Sequence, residues 1–174
     1  INALQQKKFR TQHGLFIVEG IKSVLEFVNS SYKVQKIFST AQVGAKLGIL
    51  PQIIKQEEVS EVEFNKISSL KNPQGVLALV EIPIYAPFDQ LLLAGKHSLV
   101  LDDIQDPGNI GTILRTADSI NIKQIIVSSK TADVYNPKVV RSTMGAIFRV
   151  KVIVKEDLEK TVKELKKHKI RVLA

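Results

Sequence analysis

The apolar positions of this chain follow two periods in turn. Within "LFIVEGIKSVLEFVNS" (15–30), a continuous apolar run gives way to Ile21, Val24, Leu25 and Val28 at i, i+3, i+4 and i+7. An extended segment leading into a helix with one apolar face is predicted there. "YKVQKIFST" (32–40) reads as a strand, 41–48 as a short helix and "PQIIKQ" (51–56) as another strand. A helix runs from Ser60 through Ile67, with Ser60 and Glu63 spaced for a capping box. "GVLALVEI" (75–82) is apolar enough for a buried strand.

Pro83 and Pro87 then break the pattern. Beyond them come a strand (97–104), a helix (107–120), strands at 122–129 and 149–154, a helix (156–169) and a closing strand "IRVLA". The last helix places Leu158, Val162 and Leu165 on one face. Strand–helix–strand repetition of this spacing implies a parallel sheet. The predicted fold class is α/β in two parts: a small domain over 1–82, a linker over 83–95, and a parallel-sheet domain over 96–174.

Composition narrows the function classes. Of 174 residues, 44% are hydrophobic and 24% charged, which is ordinary for a globular protein. No apolar run approaches the roughly 20 residues that cross a bilayer, so no membrane partner is expected and a cytoplasmic setting is the default. The absence of cysteine excludes disulfides and thiolate metal sites. His13, His97 and His168 lack metal-ligand spacing, so no metal is predicted. Net charge is +8 and uneven: residues 1–95 carry 10 Lys/Arg against 8 Asp/Glu, and residues 96–174 carry 15 against 9. That bias favours a polyanionic partner such as nucleic acid.

The densest chemistry lies in "DDIQDPGNIGTILRTAD" (102–118). Asp106 can cap a helix, Pro107 suits its first turn, and Gly108 and Gly111 admit a close neighbour. Ile110, Ile113, Leu114 and Ala117 form its apolar stripe, leaving Arg115 and Asn109 off it. In open α/β sheets ligands gather at this edge. Local chemistry also allows a purely structural reading, with Asn109 completing a turn and Arg115 paired to Asp118.

This stretch resembles the first signature of the SpoU/TrmH family of RNA ribose 2′-O-methyltransferases, an Asn followed by a Gly and then an Arg. "NPKVVRSTMGAIFRVKV" (136–152) is similar to the second signature, with Thr143 where the family usually has Ser. "QQKKFRTQHGLFIVEG" (5–20) and "NPQGVLALV" (72–80) resemble the start and end of the family's small substrate-binding domain, similar in fold to ribosomal protein L30e.

The resemblance implies S-adenosylmethionine-dependent methylation of a ribose 2′-hydroxyl, in ribosomal rather than transfer RNA, by a homodimer with a trefoil-knotted catalytic domain. Arg115 and Asn109 match the family's catalytic positions. Lys7, Lys8, Arg10, Lys138 and Arg141 fall where RNA contacts are expected. The third signature, which holds much of the cofactor, has no counterpart here, so the C-terminal part of the methyltransferase domain is expected to be missing from this chain. Leu173 and Ala174 then mark only the edge of the cofactor pocket. The alternative is a truncated, non-catalytic RNA-binding module.

Overall fold

The computed structural model describes residues 1–84 and 97–173. Its elements in chain order begin with α1 (Lys7–His13), β1 (Leu15–Glu19), α2 (Ile21–Val28) and β2 (Val34–Ser39). There follow α3 (Ala41–Gly44), β3 (Lys55–Glu58), α4 (Glu61–Ile67) and β4 (Val76–Glu81). The later residues form β5 (Leu99–Leu101), α5 (Pro107–Ser119), β6 (Gln124–Ser128), α6 (Pro137–Ser142), β7 (Lys151–Lys155) and α7 (Leu158–Lys167).

The first sheet has the order β1-β4-β2-β3, with β4 antiparallel to both β1 and β2 and β3 parallel to β2. Its apolar strand β4 is interior, as an unbroken run such as Val76–Ala78 requires. The second sheet is the expected parallel one, in the order β5-β6-β7, and every residue of the central strand β6 is buried.

Two predicted elements differ. The strand expected at 51–56 lies later, at β3, because Pro51 and the turn after it hold Ile54 in the core before the chain can extend. Residues 170–173 do not join the ladder: Lys169 turns with φ 59°, and Ile170 and Val172 pack with Ile126 and Leu165 instead. Most of the predicted linker, residues 85–95, and Ala174 lie outside the described residues.

The two sheets share one apolar body. Phe16, Val18 and Val24 of the first half cluster with Val140 and Ile147 of the second. Aromatic rings cross the boundary: Phe16 meets Tyr135 at 4.9 Å between centroids, and Phe27 meets Phe148 edge-on at 4.3 Å. Tyr32 adds a hydrogen bond to the Ile147 carbonyl at 3.1 Å.

Helix starts follow their sequence signals. Asp106 caps α5 by accepting from the Asn109 backbone N–H at 2.8 Å. Ser60 and Glu63 form the reciprocal box on α4, which holds the Glu63 carboxyl below the usual carboxylate range. At Gly111 the α5 backbone meets α6 so closely that a Cβ would lie 1.8 Å from Ser142 Oγ. Gly111→Ala should therefore destabilise the fold by about 2 kcal/mol through overpacking, read from urea unfolding. Ser142→Gly in the same chain should recover part of that loss; independent, additive effects would show that the two helices do not meet there.

Candidate active site

Helix α5 carries the first-signature residues on a rigid rod. Ile110, Leu114 and Ala117 bury one face of it, with Gly111 against α6, so Arg115 is held on the exposed side. Arg115 lines a concavity of about 470 Å³ together with Thr112 and Thr116 of its own helix, Thr143 and Met144 after α6, and Arg149 before β7. Met144 adopts φ 46° and is 65% exposed, and Gly145 beside it turns at φ 84°. That left-handed pair, costly for Met and free for Gly, brings the chain back along the wall facing Arg115.

The pairing of Arg115 with Asp118 does not form. Asp118 is taken by Arg149, whose Nε donates to its carboxylate at 2.7 Å, with Lys123 at 3.8 Å on the other oxygen. Among the described residues no acceptor holds the Arg115 guanidinium. An unengaged fork at the wall of a concavity suits an oxyanion, whether a carboxylate or a phosphate, through two parallel hydrogen bonds.

Asn109 is exposed in the first turn of α5, and the concavity at Arg115 does not include it. Six residues separate the two along the helix, about 9 Å of rise and a third of a turn, and no hydrogen bond joins them. Lys7, Lys8 and Lys138 are exposed, with Lys8 lying over the Phe9 ring at 6.0 Å. Arg141 is half-buried and donates to Ser69 Oγ at 3.2 Å.

Arg10 is a correction. Expected on the RNA surface, it is only 2% exposed. Its guanidinium is spent on Asp133, at 2.8 and 2.6 Å, and on the Leu4 carbonyl at 2.7 Å. It ties the N-terminal helix to the second half, and its burial keeps its remaining donors from a phosphate. Only the position of Asp133, 123 residues away, decides this, and no local pattern carries that information. Glu19 is also structural, accepting from Ser68 and from the backbone and hydroxyl of Ser69.

Sequence reasoning missed Arg149, which faces the concavity and removes Asp118 from competition for Arg115. Its only signal was its place as a charged residue near the end of the second-signature stretch, 136–152.

Residues 96–174 match the SpoU rRNA methylase family, and residues 1–78 match the MRM3-like substrate binding domain. The chain belongs to the SpoU/TrmH family. It is 31% identical over 169 residues to the 23S rRNA (guanosine(2553)-2′-O)-methyltransferase RlmP of Bacillus subtilis, covering 97% of this chain and 65% of that protein. It is also 31% identical to the mitochondrial rRNA methyltransferase 3 of Xenopus tropicalis, covering 88% of this chain and 38% of that one. The AdoMet-bound rRNA methyltransferase of Sinorhizobium meliloti superposes with a TM-score of 0.74 at 30% identity, over 95% of this chain and 63% of that one. The chain thus spans from about two fifths to just under two thirds of these relatives.

The reassignment of Arg10 is testable by stability. Asp133→Asn leaves a buried guanidinium without its counter-charge and should cost about 3 kcal/mol in urea unfolding. A loss below about 0.5 kcal/mol would mean the pair is no more than a surface ion pair.

Proposed function

We propose that this protein methylates the 2′-hydroxyl of a ribose in ribosomal RNA, with S-adenosylmethionine as donor. The observation that carries the proposal is Arg115: a guanidinium without a partner among the described residues, carried by a helix whose inner face is buried, on the wall of a polar concavity. Support comes from the relatives, whose names specify rRNA as substrate and, for RlmP, the 2′-O position. In this reading residues 1–82 hold RNA through an L30e-like domain and residues 96–174 carry the chemistry.

A ribose hydroxyl is a weak nucleophile until its proton leaves or its oxygen is polarised. Arginine remains protonated at ordinary pH, so Arg115 is not the base. Its guanidinium grips the phosphate next to the target ribose and stabilises negative charge as it develops on the oxygen. The proton passes to a phosphate oxygen or to water. Asn109, displaced along the helix, contacts the sugar rather than the arginine. Lys7, Lys8 and Lys138 supply outlying phosphate contacts, which give affinity and salt dependence without sequence choice. Arg141 joins them by releasing Ser69.

S-adenosylmethionine supplies the methyl group when bound. Leu173, the described residue expected at its pocket, is 76% exposed. The described residues therefore do not enclose the cofactor there, and the roles above belong to the chain's own side chains. The family resemblance further supports a knotted catalytic domain, a homodimer and a cytoplasmic setting. Among the described residues no helix is long and apolar enough to cross a membrane.

Arg115→Ala should lower transfer of labelled methyl groups to ribosomal RNA at least about 100-fold, with S-adenosylmethionine affinity unchanged by calorimetry. Arg115→Lys should fail nearly as badly, since a point charge loses the two-pronged grip. Turnover within about twofold of the parent protein in either variant would remove Arg115 from the reaction.

A further inference from the structure

A second concavity, about 420 Å³, opens between the two halves. Tyr32 and Lys33 line it from the first half, and Lys123, Phe148, Arg149 and Lys151 from the second. Against these four cations the described wall carries one carboxylate, Glu81, which Lys33 engages at 2.8 Å. Arg149 belongs to the walls of both this cleft and the concavity at Arg115, so the two are neighbours around one side chain.

We infer that this cleft is a second nucleotide subsite, which holds the RNA strand next to the ribose addressed by Arg115. The inference rests on the proposed methyltransferase reading and extends it. A strand gripped at one phosphate by Arg115 must carry its adjacent phosphates over the neighbouring surface, and the neighbouring surface is this cationic cleft. A concave wall in which cations outnumber carboxylates favours a polyanion over a small neutral ligand.

Lys33 pairs with Glu81 at 2.8 Å and Arg149 with Asp118 at 2.7 Å, exposed pairs that an incoming phosphate can exchange at little cost, and Lys123 stands 3.8 Å from Asp118. Tyr32 and Phe148, both partly buried, bring aromatic surface into a chain that has little of it, and a base can stack on such surface whatever its identity. The subsite therefore binds a flanking nucleotide through phosphate and ring face. It spans both halves, so it requires the packing of one half on the other.

The test is a salt titration of RNA binding. A fluorescein-labelled, mixed-sequence, short single-stranded RNA is titrated by anisotropy against the parent protein, Lys33→Gln/Lys123→Gln, and Lys160→Gln/Lys167→Gln. The last pair is exposed on α7 and serves as the charge-matched control. Thermal melting checks that each variant folds. The cleft pair should weaken binding about tenfold and flatten the plot of log affinity against log salt by about 1.4, two phosphate contacts at about 0.7 each. The control pair should leave the slope unchanged.

An unchanged slope in the cleft pair, or an equal change in the α7 pair, would overturn the subsite. Equal displacement of the RNA by polyglutamate of matched charge would also overturn it, in favour of a site for any acidic chain. If the parent protein binds RNA and transfers methyl groups while the cleft pair behaves like the control, only the subsite falls. If the parent protein binds no RNA at all, the methyltransferase reading falls with it.

Discussion

The contact on which the rest of this structure depends is the aromatic seam between its halves. Phe16 on β1 packs against Tyr135, and Phe27 and Tyr32 pack against Phe148. These side chains come from segments more than 100 residues apart in the sequence, and burial of the two enclosed rings, Phe16 and Phe27, contributes on the order of 1.5–3 kcal/mol each. Arg10 and Asp133 lock the same boundary with a charged pair at 2.6 Å. The pair is mainly a specificity device, because desolvation offsets much of its attraction and only one arrangement satisfies both partners. With the boundary fixed, the cleft at Tyr32 and the concavity at Arg115 keep a constant spacing.

The second constraint is the approach of α5 to α6. Gly111 permits backbone contact where any side chain would strike Ser142. That approach sets the distance between Arg115, on the outer face of α5, and the Thr143–Gly145 turn that follows α6. The Asp106 cap and Pro107 fix where α5 starts, and hence which residues point outward. A helix that began one residue earlier or later would turn Arg115 by about 100°. The dense turn chemistry before α5 thus aligns a side chain two turns downstream.

Much of the secondary structure was legible because local signals decided it. The period shift at residues 15–30, the Ser60–Glu63 box and the Asp106–Pro107 start each appear where the residues place them. Helix α1 was not visible, since "KKFRTQH" has only Phe9 as apolar content and its terminus depends on Gly14 at φ 63°. Helix α6 was hidden inside the second signature, although Asn136 caps it and Pro137 begins it, the same device as in α5. The closing strand failed for a different reason: an alternating apolar pattern shows which face is buried, not whether a strand edge receives it. At the candidate site the exposure of Arg115 was legible because it lies off the apolar stripe of its own helix. Arg10 was misread because burial of an arginine is decided by a partner far away in sequence.

The local charge distribution shows why one arginine is left over. Around the concavity stand Arg115, Arg149 and Lys123, with Asp118 as the carboxylate described among them. Asp118 lies three residues after Arg115 on the same helix, a spacing that permits their pairing. Instead Asp118 holds Arg149 and Lys123, both delivered from outside the helix. The pairing of the nearer cation is thereby prevented by two more distant ones. The result is a guanidinium on a helix packed along one face, whose charge has no partner among the described residues. An exposed ion pair adds little to stability, so giving Asp118 to Arg149 rather than to Arg115 costs the fold almost nothing. For binding the difference is large. A free guanidinium meets an incoming phosphate directly, whereas a paired one must first break its own contact. A freely available fork at a fixed position is what separates a site for a ribose-phosphate from a basic surface that only attracts one.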